Sequence, residues 1–222
     1  MLRKLIGRLH LLRDRYALRL PVRAANPYLT HIPILLEIRH CRRLTAVLEF
    51  GCGDISTRTF LDRRFFPALQ RLDSYENNAD WAARLRSSVG IEPRLDLHLV
   101  DGMVASTVNS IDLEQFDLIF IDDSMTGEER CATIRIVAEK QPRRAVVVVH
   151  DFEHLPYRTA SRPFRHRYRF TGLNPNTGLL WNDDSIHESQ LRSLDRRLRL
   201  VGEQPSVVAW DSVLSSFGRS LC

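Results

Sequence analysis

Apolar and polar positions along this chain fall into two alternating rhythms. Short apolar runs at 46–50, 116–121 and 145–149, the alternating segment 95–100 and the segment 71–76, which ends in an acid, read as strands. Longer segments at Thr30–Arg43, Ser56–Gln70, Asn78–Ser88 and Gly127–Lys140 carry apolar residues at helical spacing. Gly90 closes the third of these and Pro142 stops the fourth. The unbroken apolar run Ala145-Val-Val-Val-Val149 carries four successive β-branched residues, the pattern of a strand buried on both faces. After residue 166 the rhythm changes: Arg167–Trp181 reads as two strands around the turn Asn174-Pro175-Asn176. Ile186–Leu200 reads as a basic helix and Val207–Trp210 as a further short strand. Strand and helix in alternation predict an α/β chain, a Rossmann-like doubly wound sheet with helices on both faces.

The first 24 residues stand apart. Arg3, Lys4, Arg8, Arg13, Arg15, Arg19 and Arg23 alternate with leucines and Ile6 at roughly helical spacing. No continuous apolar stretch or small-residue cleavage site accompanies them, which argues against a secretory signal. Three readings stay open: an interfacial helix making peripheral membrane contact, a helix on a partner subunit that would make a homo-oligomer, or a lid over the site. Pro21–Pro27 breaks the pattern as a linker. The expected organisation is an arm and linker over 1–29, one domain over 30–185, and a helix and tail over 186–222 packed on it.

Charge and cysteine usage narrow the class. The net charge is +5, and lysine occurs only at Lys4 and Lys140. Acidic residues are interspersed throughout, so no strong nucleic-acid signal emerges. Four cysteines, Cys41, Cys52, Cys131 and Cys222, share no paired spacing and form neither a zinc site nor a disulfide framework. Reduced thiols point to a cytoplasmic protein, and no apolar run is long enough to span a bilayer.

The chemistry concentrates at the carboxyl ends of the expected strands, where open parallel sheets bind ligands. Glu49, Glu76, Asp101, Asp122 and Asp151 all fall there. The first strand ends in Glu49-Phe-Gly51-Cys52-Gly53-Asp54, a tight turn in which two glycines let a ligand approach the backbone. A site for a dinucleotide pyrophosphate uses bare amides and a helix N-terminus. Carboxylates at Glu49 and Asp54 point instead to a ligand with hydroxyls and a positive group.

Leu48-Glu-Phe-Gly-Cys-Gly-Asp54 resembles the first motif of the class I S-adenosylmethionine-dependent methyltransferases, a resemblance that covers about residues 30–182. It implies a mostly parallel sheet closed by a C-terminal antiparallel hairpin. It also implies S-adenosylmethionine as cofactor, with Glu49, Gly51, Cys52, Gly53 and Asp54 at its methionine end. Ser56 and Thr57 would cap the next helix and touch the cofactor carboxylate. Glu76, with Asn77 beside it, would accept both ribose hydroxyls. Asp101-Gly102 would meet the adenine amino group, and Trp81 would wall the ring or else be a core aromatic. Asp122, His150 and Asp151 are the catalytic candidates, with His150 as a base near neutrality.

Phe-Ile-Asp122-Asp and Val-Val-His150-Asp also resemble the metal-dependent O-methyltransferases of small molecules and sugars, which carry oxygen ligands after the fifth strand. His150 stands where such a ligand is expected, and imidazole suits magnesium poorly, so a divalent metal ranks below a metal-free histidine mechanism. Glu153, His154, Tyr157, Arg158 and Arg162 line either an acceptor pocket or a solvated loop. The leading expectation is methyl transfer to a small-molecule acceptor, with oxygen as the acceptor atom. Beside it stand a nicotinamide-binding oxidoreductase, a non-catalytic module that kept the fold, and more remotely a polyamine synthase.

Overall fold

The computed structural model describes residues 22–23, 26–124, 127–201 and 206–216. Seven strands form the main sheet: β1 (Ala46–Phe50), β2 (Arg71–Glu76), β3 (Leu95–Leu99), β4 (Leu118–Ile121), β5 (Val146–Val149), β6 (His166–Phe170) and β7 (Thr177–Trp181). Their spatial order is β3-β2-β1-β4-β5-β7-β6. The first five are parallel, and β7 pairs antiparallel with both β5 and β6. The chain reverses its direction of travel across the sheet between β1 and β4, and that switch point opens a crevice at the strand carboxyl ends.

Among the described residues, seven α-helices accompany the strands: α1 (Ile32–Cys41), α2 (Ser56–Leu61), α3 (Ala79–Val89), α4 (Gly127–Lys140), α5 (Leu155–Ala160), α6 (Glu188–Val201) and α7 (Val207–Ser216). Period-two alternation divides the sheet between two cores. Val146 and Val148 face one with Val47, Leu118 and Phe120, joined by Leu35 of α1, Leu194 of α6 and Trp210 of α7. Val147 and Val149 face the other with Leu48, Ile119 and Ile121, joined by Ile134 and Val137 of α4 and Tyr157 of α5. The five-residue apolar run thus serves both faces.

Several expectations need correction. Ser56–Gln70 is helical only to Leu61. Asp62 stops it by taking Arg64 into a side-chain-capped turn, its carboxylate accepting the Arg64 amide at 2.9 Å. Between β3 and β4, where no helix was expected, the chain still turns. Residues Val104–Ser110 form a 3-10 helix, because Ser106, Thr107 and Ser110 each donate a hydroxyl to the carbonyl three residues back. Val207–Trp210 is not a strand but the start of α7: Trp210 and Leu214, one turn apart, are both buried, and helical spacing overrides the two valines. Residues 153–162 are not a solvated loop; Leu155–Ala160 is helical and Tyr157 is buried.

Val22–Arg23 pairs in parallel with Leu173–Asn174, apart from the main sheet. The basic arm over 1–21 lies outside the described residues. Among those described, no helix is long and apolar enough to cross a membrane.

Candidate functional site

The glycine turn sits at the switch point. Gly51 adopts φ +86°, and a Cβ there would lie 2.5 Å from the Asp122 carbonyl oxygen at the end of β4. Glycine is therefore required twice over, for the left-handed backbone and for the approach to β4. Gly51→Ala is expected to cost about 2–4 kcal/mol in chemical denaturation, the sum of a strained φ and an overpacked contact; a loss below about 1 kcal/mol would show the turn to be pliable.

Glu49 lies beneath this turn with no exposure. Its Oε2 accepts the Thr57 hydroxyl at 2.7 Å and the hydroxyl of Ser74, its cross-strand neighbour on β2. Its Oε1 is buried and has no hydrogen-bond partner. Burial raises the Glu49 carboxyl to about 7, against the pull of the Ser56, Ser74 and Thr57 hydroxyls. Thr57 also accepts the Gly53 amide at 2.9 Å, so one hydroxyl ties the turn to the acid. Ser56 and Thr57 are both buried. Cys52 is buried, and its thiol pKa is pushed up by that burial and by Glu49 and Glu76. Asp54 is not gathered with these groups: its carboxylate is exposed and lies 3.4 Å from the Ser88 hydroxyl on α3.

Raising a carboxyl pKa has a definite sign for stability. Between the unfolded value of 4.5 and about 7 the folded chain binds more protons at Glu49, so stability falls as pH rises through that window and levels off above it. Glu49→Gln removes this slope. Relative to the parent, the variant should gain about 2–3 kcal/mol on going from pH 4.5 to pH 8. Urea midpoints across that range check this, and parallel curves for the two proteins would refute it.

Along the rim, Glu76 is fixed by the backbone. Its Oε1 accepts the amides of Asn77 at 2.9 Å and Asn78 at 2.8 Å. The Asn77 side chain donates to the Gly102 carbonyl at 3.0 Å, linking the loops after β2 and β3. Asp101 and Gly102 are exposed beside it. Trp81 is not a core aromatic: it is half-buried, its indole N–H donates to the Cys52 carbonyl at 2.5 Å, and Arg84 stacks on its ring.

On the other side of the crevice, β4 and β5 bring Asp122, His150 and Asp151 together. His150 Nδ1 lies 3.2 Å from Asp122 Oδ1 and 3.7 Å from Asp151 Oδ1. Its Nε2 lies 3.0 Å from the Thr30 hydroxyl, so both ring nitrogens are engaged, and the residue is 3% exposed. Burial opposes the imidazolium, but Asp122 outweighs it and raises the His150 pKa. Burial likewise opposes the Asp122 carboxylate, yet His150 and Arg130 hold its pKa below the ordinary value. Asp151 adopts φ +56°, a left-handed conformation that aspartate tolerates.

Three residues that sequence reasoning did not single out complete this rim. Arg130, 5% exposed, meets Asp122 Oδ1 at 2.9 Å and Asp151 Oδ2 at 2.8 Å and donates to the carbonyls of Asp123 and Ser124. It shares the buried stripe of α4 with Thr133, Ile134, Val137 and Ala138; a charge on an apolar face was the readable signal. Thr30 and His31 arrive just before α1. His31 is 2% exposed, packs 4.9 Å edge-on to His150, and neither of its ring nitrogens has a hydrogen-bond partner. Burial drives its pKa down to about 3.

The two adjacent oxygen ligands expected after the fifth strand of a magnesium enzyme are not offered here. β5 ends in an imidazole and in a carboxylate already held by Arg130. Of the downstream candidates, Glu153 accepts the Asn176 amide at 2.9 Å and the His154 ring packs at a tilt against Tyr157.

Compared with known proteins, the sequence matches no family model and no curated protein. Solved structures do match. The methyltransferase domain of bacterial CtHen1 superposes at a TM-score of 0.50 with 10% identity, over 70% of this chain and 100% of that one. A protein of Staphylococcus aureus described as a candidate caffeoyl-CoA O-methyltransferase gives 0.50 at 10% identity, over 68% and 82%. The fold is that of the class I methyltransferases. A spermidine synthase bound to a transition-state analogue shares it at a TM-score of 0.50 with 18% identity, over 79% of this chain and 68% of that one. Within the class I fold the glycine turn, Glu76 and Asp122 of this chain occupy the rim around the switch point, and at these identities the likeness concerns architecture alone.

Proposed function

We propose that the chain is an S-adenosylmethionine-dependent methyltransferase acting on a hydroxyl of a small molecule. The observation that carries this is the Glu49 carboxyl: a buried acceptor oxygen with no partner, beneath a positive-φ glycine turn at the switch point. A positive group approaching the turn is favoured by this acid, whereas a pyrophosphate would meet repulsion from Glu76 and Asp122. The residues present therefore fit the methionine end of the cofactor and disfavour a nicotinamide dinucleotide.

When bound, S-adenosylmethionine supplies an activated methyl on a sulfonium. The chain's own groups bind and orient. Glu76, held by two amides, presents a fixed carboxylate to the ribose hydroxyls. Asn77 sets the loop bearing Asp101 and Gly102 against the adenine side. Trp81 braces the turn through the Cys52 carbonyl. On the acceptor side Asp122 has a side-chain exposure of 22% and Asp151 of 29%, against 4% for His150; Asp151 is tied to Arg130, and Asp122 lies beside the glycine turn. Asp122 then faces the acceptor hydroxyl, and His150 and Arg130 hold it ionised and aimed.

Calorimetry with S-adenosylmethionine, S-adenosylhomocysteine and NAD tests the reading. Micromolar binding of the first two without the third is expected, followed by methyl transfer from labelled cofactor to members of a hydroxylated acceptor panel. Binding of NAD alone would overturn it. Cofactor binding without turnover on any acceptor would favour a non-catalytic module.

A further inference from the structure

The geometry points to a transition-metal site formed by His31, Asp122 and His150, of the kind that takes a borderline divalent ion such as zinc, cobalt or iron rather than magnesium. Three elements supply it: the residue before α1, the end of β4 and the end of β5. One donor atom from each residue lies within 4.8 Å of the others. Two imidazoles and one carboxylate form a donor set suited to these ions and unsuited to a hard, oxygen-seeking cation.

A second observation is independent of that clustering. His31 is 2% exposed and both of its ring nitrogens lack partners. A neutral imidazole buried this way carries an unsatisfied donor and an unsatisfied acceptor, which calls for a physical explanation. The ring stands 4.9 Å from His150 and 4.6 Å from Phe120, so packing fixes its neighbourhood while no hydrogen bond fixes its rotation. Donors around a tetrahedral ion with bonds of about 2.1 Å sit about 3.4 Å apart. Closing the present spread takes rotation of His31, the one ligand whose nitrogens hold nothing.

Asp122 and Asp151 both face the guanidinium of Arg130. Arg130 bonds Asp122 Oδ1 at 2.9 Å, a contact of the kind that orients a ligating carboxylate. The site shares Asp122 with the acceptor rim, so its use in methyl transfer rests on the function proposed above, while metal binding itself does not.

Cobalt(II) titration of the full chain, stripped beforehand with chelator, tests the site. We expect a visible d–d band that saturates at one equivalent and is displaced by zinc. His31→Phe keeps the ring packed on Phe120 but removes both nitrogens; with an unchanged circular dichroism spectrum it should lose the band or weaken binding at least about tenfold. His150→Gln provides the same test from a second element. No band in the parent protein, or a band unchanged in His31→Phe, would overturn the site. The cofactor calorimetry is read separately: absent cofactor binding with the cobalt band intact fails the methyltransferase reading and leaves the metal site standing.

Discussion

Replacing Glu76 with alanine is expected to lower affinity for S-adenosylmethionine by about a hundredfold or more. The reason lies in how the carboxylate is held. Hydrogen bonds to a charged group contribute about 1.5–3 kcal/mol each, and two ribose hydroxyls would share this one. Each 1.4 kcal/mol is about tenfold in binding, so losing both contacts gives two decades at the least. The bonds to the Asn77 and Asn78 amides fix the acid before ligand arrives, so little ordering is lost on binding. Glu76→Gln separates the contributions. The amide oxygen can still accept from the backbone, but the charge is gone, and a loss of about tenfold is expected. Isothermal titration of both variants beside the parent measures this, with thermal melts as the folding control. Affinity within about threefold of the parent in Glu76→Ala would remove the nucleoside from this rim and with it the proposed cofactor.

Much of the frame was legible because it depends on local rhythm. The five parallel strands end within two residues of where their predicted segments end, and the acids at those ends reach one edge because every parallel strand points the same way. Glu49, Gly51 and Glu76 were readable for that reason. What failed to show depends on contacts distant in sequence. Thr30 meets His150 across 120 positions, and nothing in either neighbourhood announces it. His31 looked like part of a helix because the apolar run after it dominates the window. The helix over Val207–Ser216 was misread as a strand because two valines lead it, while the burial of Trp210 against α1 decides the matter. Asp54 was expected inside the site because it lies beside a glycine, but the turn carries its side chain outward to Ser88. Arg130 was the readable omission: a charge on the apolar stripe of α4 is rarely free, and its partners had to be among the acids at the strand ends.

Arg130→Met should cost about 3–5 kcal/mol of folding stability, the range found when one partner of a buried ion pair is removed. The methionine fills similar space, so the loss reflects charge more than a cavity. Without the guanidinium, Asp122 and Asp151 face each other's charge, and the carbonyls of Asp123 and Ser124 lose their donor. Domains of this size have stabilities of about 5–15 kcal/mol, so the variant is expected near the edge of folding at neutral pH. Adding Asp151→Asn to Arg130→Met removes one uncompensated charge and should recover part of the loss. A simple packing defect would not respond in that way. Chemical denaturation of the parent, the single variants and the double variant forms a complete cycle. Additive losses across the cycle, or a cost below about 1 kcal/mol for Arg130→Met, would mean that the guanidinium does not tie β4 to β5. Coupling of the expected sign would place the same residue under both the stability of the sheet edge and the aim of Asp122, since one side chain holds the ends of both strands against the crevice.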